Sequence, residues 1–357
     1  MPYQDIVALL GPQAQSLLSH QCQLLPKELL QFPSGDHVRS VFGSSDRNER
    51  TLHNLERLYG HGRLGGSGYL SILPVDQDIE HTAAYSFYKN PIYFDPENVV
   101  KLALEAGCSG IASTFGALGL VANKYADKIP FIVKINHNEL LTYPNKWSQI
   151  MFGQVRQAAE MGAVAVGATI YFGSADSNRQ ITEIAAAFYE AHQLGMATIL
   201  WCYPRNPAWT DSKGVNYESS ADVTAQANRL GVTLGADIIK QKMPEIDGAF
   251  LKFKFAKYDK QMYEQTCTEH PIDMLRLQVM ACYAGKISLL NSGGESHATG
   301  DLESDLRASV TAAVINKRGG GAGLIMGRKA FKRPMAEGVK ILQAVQDVYL
   351  EERIQLA

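Results

Sequence analysis

The chain has 357 residues, 46% of them hydrophobic and 20% charged, with a formal net charge of -2. A balance this close to neutral excludes, at the level of totals, the broad basic surface that nucleic-acid or anionic-membrane binding calls for. Five cysteines (Cys22, Cys108, Cys202, Cys267 and Cys282) stand apart with no C-x-x-C pair, which argues against a disulfide framework and fits a reducing, cytoplasmic setting.

The first 67 residues precede any long apolar run. Gln13 to Gln23 and Asn48 to Tyr59 carry helical patterns. Residues 1–67 are therefore expected to be an N-terminal helical extension, packed on the rest of the fold or on a neighbouring subunit. No basic-then-apolar leader pattern opens the chain, and no apolar run nears 18 residues.

Eight short apolar runs then alternate with helical segments. They are Tyr69 to Asp76, Cys108 to Thr114, Phe131 to Asn136, Ala163 to Phe172, Ala197 to Pro204, Ala236 to Lys242, Ile287 to Gly294 and Gly323 to Arg328. Continuous apolar runs of this length predict strands buried on both faces, hence parallel. Between them, Asp95 and Pro96 open a helix that stops at Gly107. Ile181, Ile184, Ala185 and Phe188 follow helical spacing up to a stop at Gly195. Eight strand-then-helix units predict a (β/α)8 TIM barrel over residues 68–357 in preference to an open doubly wound sheet. The long stretch from Met243 to Glu269, rich in Lys, Phe and Tyr, reads either as a functional connection on the site face or as a helix laid over the rim.

In a barrel, the C-terminal ends of the strands build the site. Those ends carry Asp76, Lys134, Tyr171, Trp201, Tyr203, Arg205, Lys240, Lys242, Ser292, Gly293, Gly294, Gly327 and Arg328. Strand alternation puts Lys240 with Lys242 on one face, and Trp201, Tyr203 and Arg205 on one face of theirs. A lysine at the end of a buried strand is costly unless it is used. An amine that sheds its proton attacks carbonyls and makes Schiff bases. At the ordinary pKa of about 10.4, roughly one amine in 2,500 is neutral at pH 7. Burial raises that fraction, as does a second cation such as Lys134 or Lys242. The competing reading pairs the lysine with Asp76 for charge balance alone.

The seventh and eighth runs end in NSGG (291–294) and MGR (326–328). These are the usual barrel positions for phosphate, where glycine N–H groups approach an oxyanion and Arg328 adds a charged contact. Glycine runs at 64–68 and 318–323 precede strands and are set aside as turns. HNE (137–139) and EH (80–81) offer no H-x-x-x-H spacing or paired histidines on a common face, so no metal centre is expected there.

Long segments, in order, resemble the archaeal-type (DhnA-type) class I fructose-bisphosphate aldolases, in particular their longer bacterial members. They include GYLSILPVDQDIEH, EAGCSGIASTFG, VKINHNE, GAVAVGATIYFGS, ADIIKQKM, LLNSGG, INKRGGGAGLIMGRKAF and the ending AVQDVYL. The resemblance implies reversible cleavage of fructose 1,6-bisphosphate to dihydroxyacetone phosphate and glyceraldehyde 3-phosphate, with no metal or other cofactor. It implies the imine on Lys240, which strand parity alone does not separate from Lys242. It implies a proton-transferring Tyr203 with Trp201 and Arg205 beside it, a site aspartate at Asp76, and a sugar-phosphate site at Ser292, Gly293, Gly294, Gly327 and Arg328. Lys134 is expected as a further substrate contact. One departure is Asp78, where the family's DxGxEH segment has glycine. The expected partners are sugar phosphates and further copies of the chain, with neither nucleic acid nor membrane. Two rival functions stand beside this one. The first is a Schiff-base, transaldolase-like or thiolase-type enzyme acting on another phosphorylated ketose. The second is a non-catalytic sugar-phosphate-binding barrel, which would need neither Lys240 nor Tyr203.

Overall fold

The structure, a computed structural model, describes residues 1–294 and 301–357, with only the backbone at Gln77 and Asp78. The side chain of Asp78, the departure from the family segment, thus lies outside the described residues. Among the described residues ten strands form: β1 (Leu70–Val75), β2 (Gly110–Ser113), β3 (Phe131–Lys134), β4 (Asn136–Asn138), β5 (Gln149–Met151), β6 (Ala165–Phe172), β7 (Ala197–Pro204), β8 (Ile238–Gln241), β9 (Ser288–Ser292) and β10 (Gly323–Ile325). Eight close a parallel barrel in the order β1-β10-β9-β8-β7-β6-β3-β2. All eight expected runs supply those strands. Every residue of β1, β2, β3, β6 and β8 is buried, because one face meets the barrel interior and the other meets helices.

The third run differs from expectation. Its barrel strand ends at Lys134, and residues 136–138 leave the barrel to pair antiparallel with β5. This small hairpin has no long periodic pattern to announce it.

Local signals account for the connecting helices. The Asp95 carboxylate accepts from the Glu97 amide at 2.9 Å and caps Pro96–Glu105. Gly107 and Gly195 take the left-handed conformation just past their helix ends, with φ of 66° and 82°. Helix Ser177–Gln193 buries Ile184 and Phe188 as expected, with Ala187 and Ala191 in place of Ile181 and Ala185. The stripe is turned because Gln180 points inward and accepts from the Tyr171 amide at 2.8 Å.

The N-terminal residues form more helices than their patterns announce: Tyr3–Leu10 and His37–Phe42 join Ala14–Ser19 and Glu49–Tyr59. The helix expected over Gln13 to Gln23 stops at Ser19. The buried Arg318 guanidinium takes the carbonyls of Leu17 and His20, at 2.6 and 2.8 Å, and satisfies that early end. Asn48 caps the last of these helices through Thr51 N. Ile6, Leu17, Leu52 and Leu55 belong to one continuous core with the barrel strands.

The 243–269 connection combines both expected readings. Met243 and Glu245 line the cleft described below. Beyond them, helices Ala249–Phe253 and Lys260–Thr266 lie over helix Ala221–Thr233, where Asp222 accepts from Phe250 N and the Tyr263 hydroxyl. Among the described residues, no helix is long and apolar enough to cross a membrane.

Candidate active site

Strand register assembles the first wall. Trp201 on β7 lies opposite Lys240 on β8, and Tyr203 lies opposite Tyr171 on β6. Alternation then brings Trp201, Tyr203, Arg205, Lys240 and Lys242 to one cleft of about 590 Å³ at the C-terminal end of the barrel. That volume is within the range of small-molecule sites. Asp76, Ser292, Gly293, Gly294, Gly327 and Arg328 also line it.

Lys240 is 9% exposed, and its Nζ lies 5.2 Å from the Trp201 ring centre and 5.6 Å from that of Tyr203. The amine therefore rests against two aromatic faces. The Tyr203 hydroxyl lies 3.3 Å from Ser292 Oγ, which connects this wall to the end of β9. Burial first, and then the Arg205 charge, hold the Lys242 pKa below its usual range, while Glu218 and Glu245 oppose them. By chemistry alone Lys242 thus competes with Lys240 for an imine role.

Lys134, like Tyr171, is a sequence candidate that does not line the cleft. It is fully buried, donates to Thr169 Oγ1 at 2.6 Å and sits 4.2 Å from the Trp201 ring centre. Register explains this. Lys134 pairs with Gly167, and a Cβ there would come within 2.8 Å of Trp201 Cζ3 and 3.0 Å of Lys134 Cδ. The glycine clears room for both side chains. The Lys134 side chain is thus buried against Trp201. Burial brings the Lys134 pKa down to about 8, with Asp76 and Glu80 opposing and Lys240 adding.

His137 and Glu80, which the sequence had offered only as metal candidates, hold Asp76. His137 Nε2 is 3.1 Å from Asp76 Oδ2, and its Nδ1 is 3.3 Å from Glu80 Oε2. The Nε2 contact is an ion-pair distance without aligned hydrogen-bond geometry. The Tyr171 hydroxyl donates to Glu80 Oε1 and closes the chain. Burial alone would raise the Asp76 pKa. His137 first, then Lys134 and Lys240, outweigh that and hold the carboxyl well below the usual range. Burial would lower the His137 pKa, and Lys134 works in the same direction, but Asp76 and Glu80 raise it overall. The arrangement is an imidazole of raised pKa between two carboxylates. Among the described residues, no three His, Cys, Asp or Glu donors close enough to share a metal ion lie at the cleft. Sequence reasoning read EH and HNE singly; their meeting depends on the β4–β5 hairpin.

Arg205 donates to Glu218 Oε2 at 2.8 Å, and its guanidinium stacks over Trp147 and Tyr171 at 5.0 and 5.4 Å. The phosphate end also departs in detail from expectation. The Gly293 N–H donates to Ile325 O at 3.0 Å, so it is engaged in the barrel rather than offered to an oxyanion. Position 293 is glycine for space, since a Cβ would lie 2.5 Å from Met326 Cγ. Lys329, absent from the sequence candidates, is buried and lines the cleft with Arg328. Its Nζ lies 3.8 Å from where a Cβ on Gly294 would stand. The signal was its place directly after Arg328.

Comparison with known proteins adds to this geometry. Residues 70–333 match the family described as DeoC/LacD family aldolase. A protein of Chlamydia muridarum named as a probable class 1 fructose-bisphosphate aldolase is 55% identical over 352 residues, 99% of each chain. The class 1 fructose-bisphosphate aldolase of Thermoproteus tenax is 36% identical over 172 residues, covering 48% of this chain and 61% of that one. The crystal structure of an archaeal fructose 1,6-bisphosphate aldolase superposes with a TM-score of 0.63 at 27% identity, covering 84% of this chain and 99% of that one. A second archaeal structure, with its catalytic lysine bound to the carbinolamine intermediate of the substrate, gives a TM-score of 0.62 at 26% identity over the same shares.

Proposed function

The chain belongs to the DeoC/LacD family of aldolases, and we infer that it is a class I, Schiff-base aldolase that reversibly cleaves fructose 1,6-bisphosphate. The observation that carries the chemistry is the Lys240 amine, set between the faces of Trp201 and Tyr203 in a cleft whose other end gathers Arg328 and Lys329. The amine attacks the ketone carbon, and loss of water leaves an iminium. The iminium accepts the electron pair of the bond between carbons three and four as that bond breaks. Glyceraldehyde 3-phosphate leaves with its new carbonyl, and an enamine stays on the lysine. Protonation of the enamine and hydrolysis then release dihydroxyacetone phosphate.

The residue roles are proposals. Tyr203 moves the proton between substrate hydroxyl and enamine carbon. Asp76, held ionised by His137, orients the sugar hydroxyls. Ser292, Gly294, Gly327 and Arg328 bind a phosphate with Lys329, while Trp201 and Arg205 shape the wall. The iminium supplies the polarisation that a metal supplies in other aldolases. The residue ranges 1–67 and 68–357 are proposed as extension and catalytic barrel. A cytoplasmic, homo-oligomeric enzyme of glycolysis or gluconeogenesis is also proposed, on the resemblance alone.

Borohydride reduction with dihydroxyacetone phosphate tests the reading. The trapped secondary amine should map to Lys240. Lys240→Met should abolish adduct and cleavage, and Lys242→Met should keep the adduct. An adduct on Lys242 would reverse the assignment. Cleavage with no lysine adduct at all would overturn the mechanism.

A further inference from the structure

Away from the cleft, the chain segment after helix Ala14–Ser19 meets helix Pro271–Ala281 in a group of metal-ligating side chains. We propose that His20, Cys22 and Asp273 bind one zinc-type divalent cation, which ties the N-terminal segment to that helix. The donor atoms of the three residues all lie within 4.8 Å of one another. His20 Nε2 is already 2.7 Å from Asp273 Oδ1. A tetrahedral zinc with bonds of about 2.0–2.3 Å separates its ligands by roughly 3.3–3.8 Å. The closest pair must open slightly, and no pair needs to close by more than roughly 1–1.5 Å to reach that geometry.

The donor set selects the metal. Imidazole nitrogen and thiolate sulfur with one carboxylate suit zinc rather than the oxygen-seeking magnesium or calcium. The surroundings also hold the ligands in position. The His20 and Cys22 donor atoms converge on Asp273 from one short segment, residues 20–22. Arg318 holds the Leu17 and His20 carbonyls, and Arg276 holds that of Leu25 at 2.5 Å, so the segment is clamped on both sides of the ligands. The His270 ring stacks on His20 at 3.6 Å and 7°, which sets the imidazole plane. Thr268 Oγ1 donates to Asp273 Oδ2 at 2.5 Å, leaving Oδ1 directed at His20. Such outer partners are what orient ligands in known metal sites. Cys22 and Asp273 are buried while His20 is partly exposed, which provides an entry path and room for water as fourth ligand.

His20 and the Cys22 thiol both meet the Asp273 carboxylate, so the three donors already converge on one point. Binding forms Zn–N, Zn–S and Zn–O bonds and releases the thiol proton to solvent, with His20 as neutral imidazole. None of the three residues lines the cleft, so the ion is structural.

The test uses full-length protein stripped with a chelator and titrated with Zn²⁺ or Co²⁺ alone. About one ion per chain should bind, cobalt should give a thiolate charge-transfer band, and zinc should raise the melting midpoint. Cys22→Ser should lose the band, and His20→Ala, which spares the buried positions, should lose tight zinc binding and the thermal gain. Turnover should be the same with and without zinc. No stoichiometric binding to wild type overturns the proposal, as does equal binding by wild type and both variants. Neither result bears on borohydride trapping at Lys240.

Discussion

The 3.3 Å contact between the Tyr203 hydroxyl and Ser292 Oγ joins the proposed proton carrier to the phosphate end of the cleft. Tyr203→Phe keeps the ring that faces Lys240 and removes only this group. A positioned acid or base contributes ~100- to 10,000-fold. Turnover is expected to fall by that much in steady-state assays, while borohydride still traps the imine. A variant within threefold of wild type would clear Tyr203 of the proton role. Strand alternation put Tyr203 and Lys240 on the cleft side, together with Lys242, and the resemblance chose between the two lysines. Lys134 shares that parity and lies deeper, fully buried against Trp201. Depth follows from register with Gly167, a residue with no side chain to signal it.

At the scale of elements, the Glu80–His137–Asp76 chain fastens the β4–β5 hairpin to the short helix Gln77–Glu80 after β1. Its pH dependence follows from the shifts. Burial would raise the Glu80 pKa, but His137 and Tyr171 bring it down to about 2. A depressed carboxyl adds stability that is full above its unfolded pKa, near 4.3, and is lost as pH falls through the folded value. His137 is raised, so its share is full below about 6.5 and is lost as pH climbs through the folded value. Glu80→Gln should therefore cost roughly 1.5–3 kcal/mol near pH 5–6, a gap that narrows towards pH 2 and again on the alkaline side. Urea denaturation across pH measures it, and a gap that does not change with pH would count against the ion chain. The eight strands were readable because burial on both faces gives continuous apolar runs. The hairpin was not, since three-residue strands carry no period and the pairing of His137 with Glu80 spans 57 positions.

On the scale of the whole molecule, two arginines divide stability from chemistry. Arg276 is fully buried, and its guanidinium donates to the carbonyls of Leu25, Gly319, Arg318 and Ala357. It gathers the N-terminal segment, the turn before β10 and the chain's last residue, on the face of the barrel opposite the cleft. Arg328 stands after β10, at the cleft. In barrels the N-terminal face carries stability and the C-terminal face carries chemistry. Arg276→Met leaves several buried carbonyls without donors and should cost roughly 3–5 kcal/mol, a large part of a net stability of about 5–15 kcal/mol. At low temperature its folded fraction should keep the wild-type Michaelis constant. Arg328→Ala removes a charged contact to phosphate worth roughly 1.5–3 kcal/mol, so its Michaelis constant for the bisphosphate should rise about 10- to 150-fold. Paired denaturation and kinetics on the two variants decide the matter. If Arg276→Met raises the Michaelis constant as far as Arg328→Ala does, the two faces are coupled and the division fails. If Arg328→Ala leaves that constant unchanged, the phosphate binds elsewhere in the cleft, with Arg205 and Lys242 the next cations to substitute.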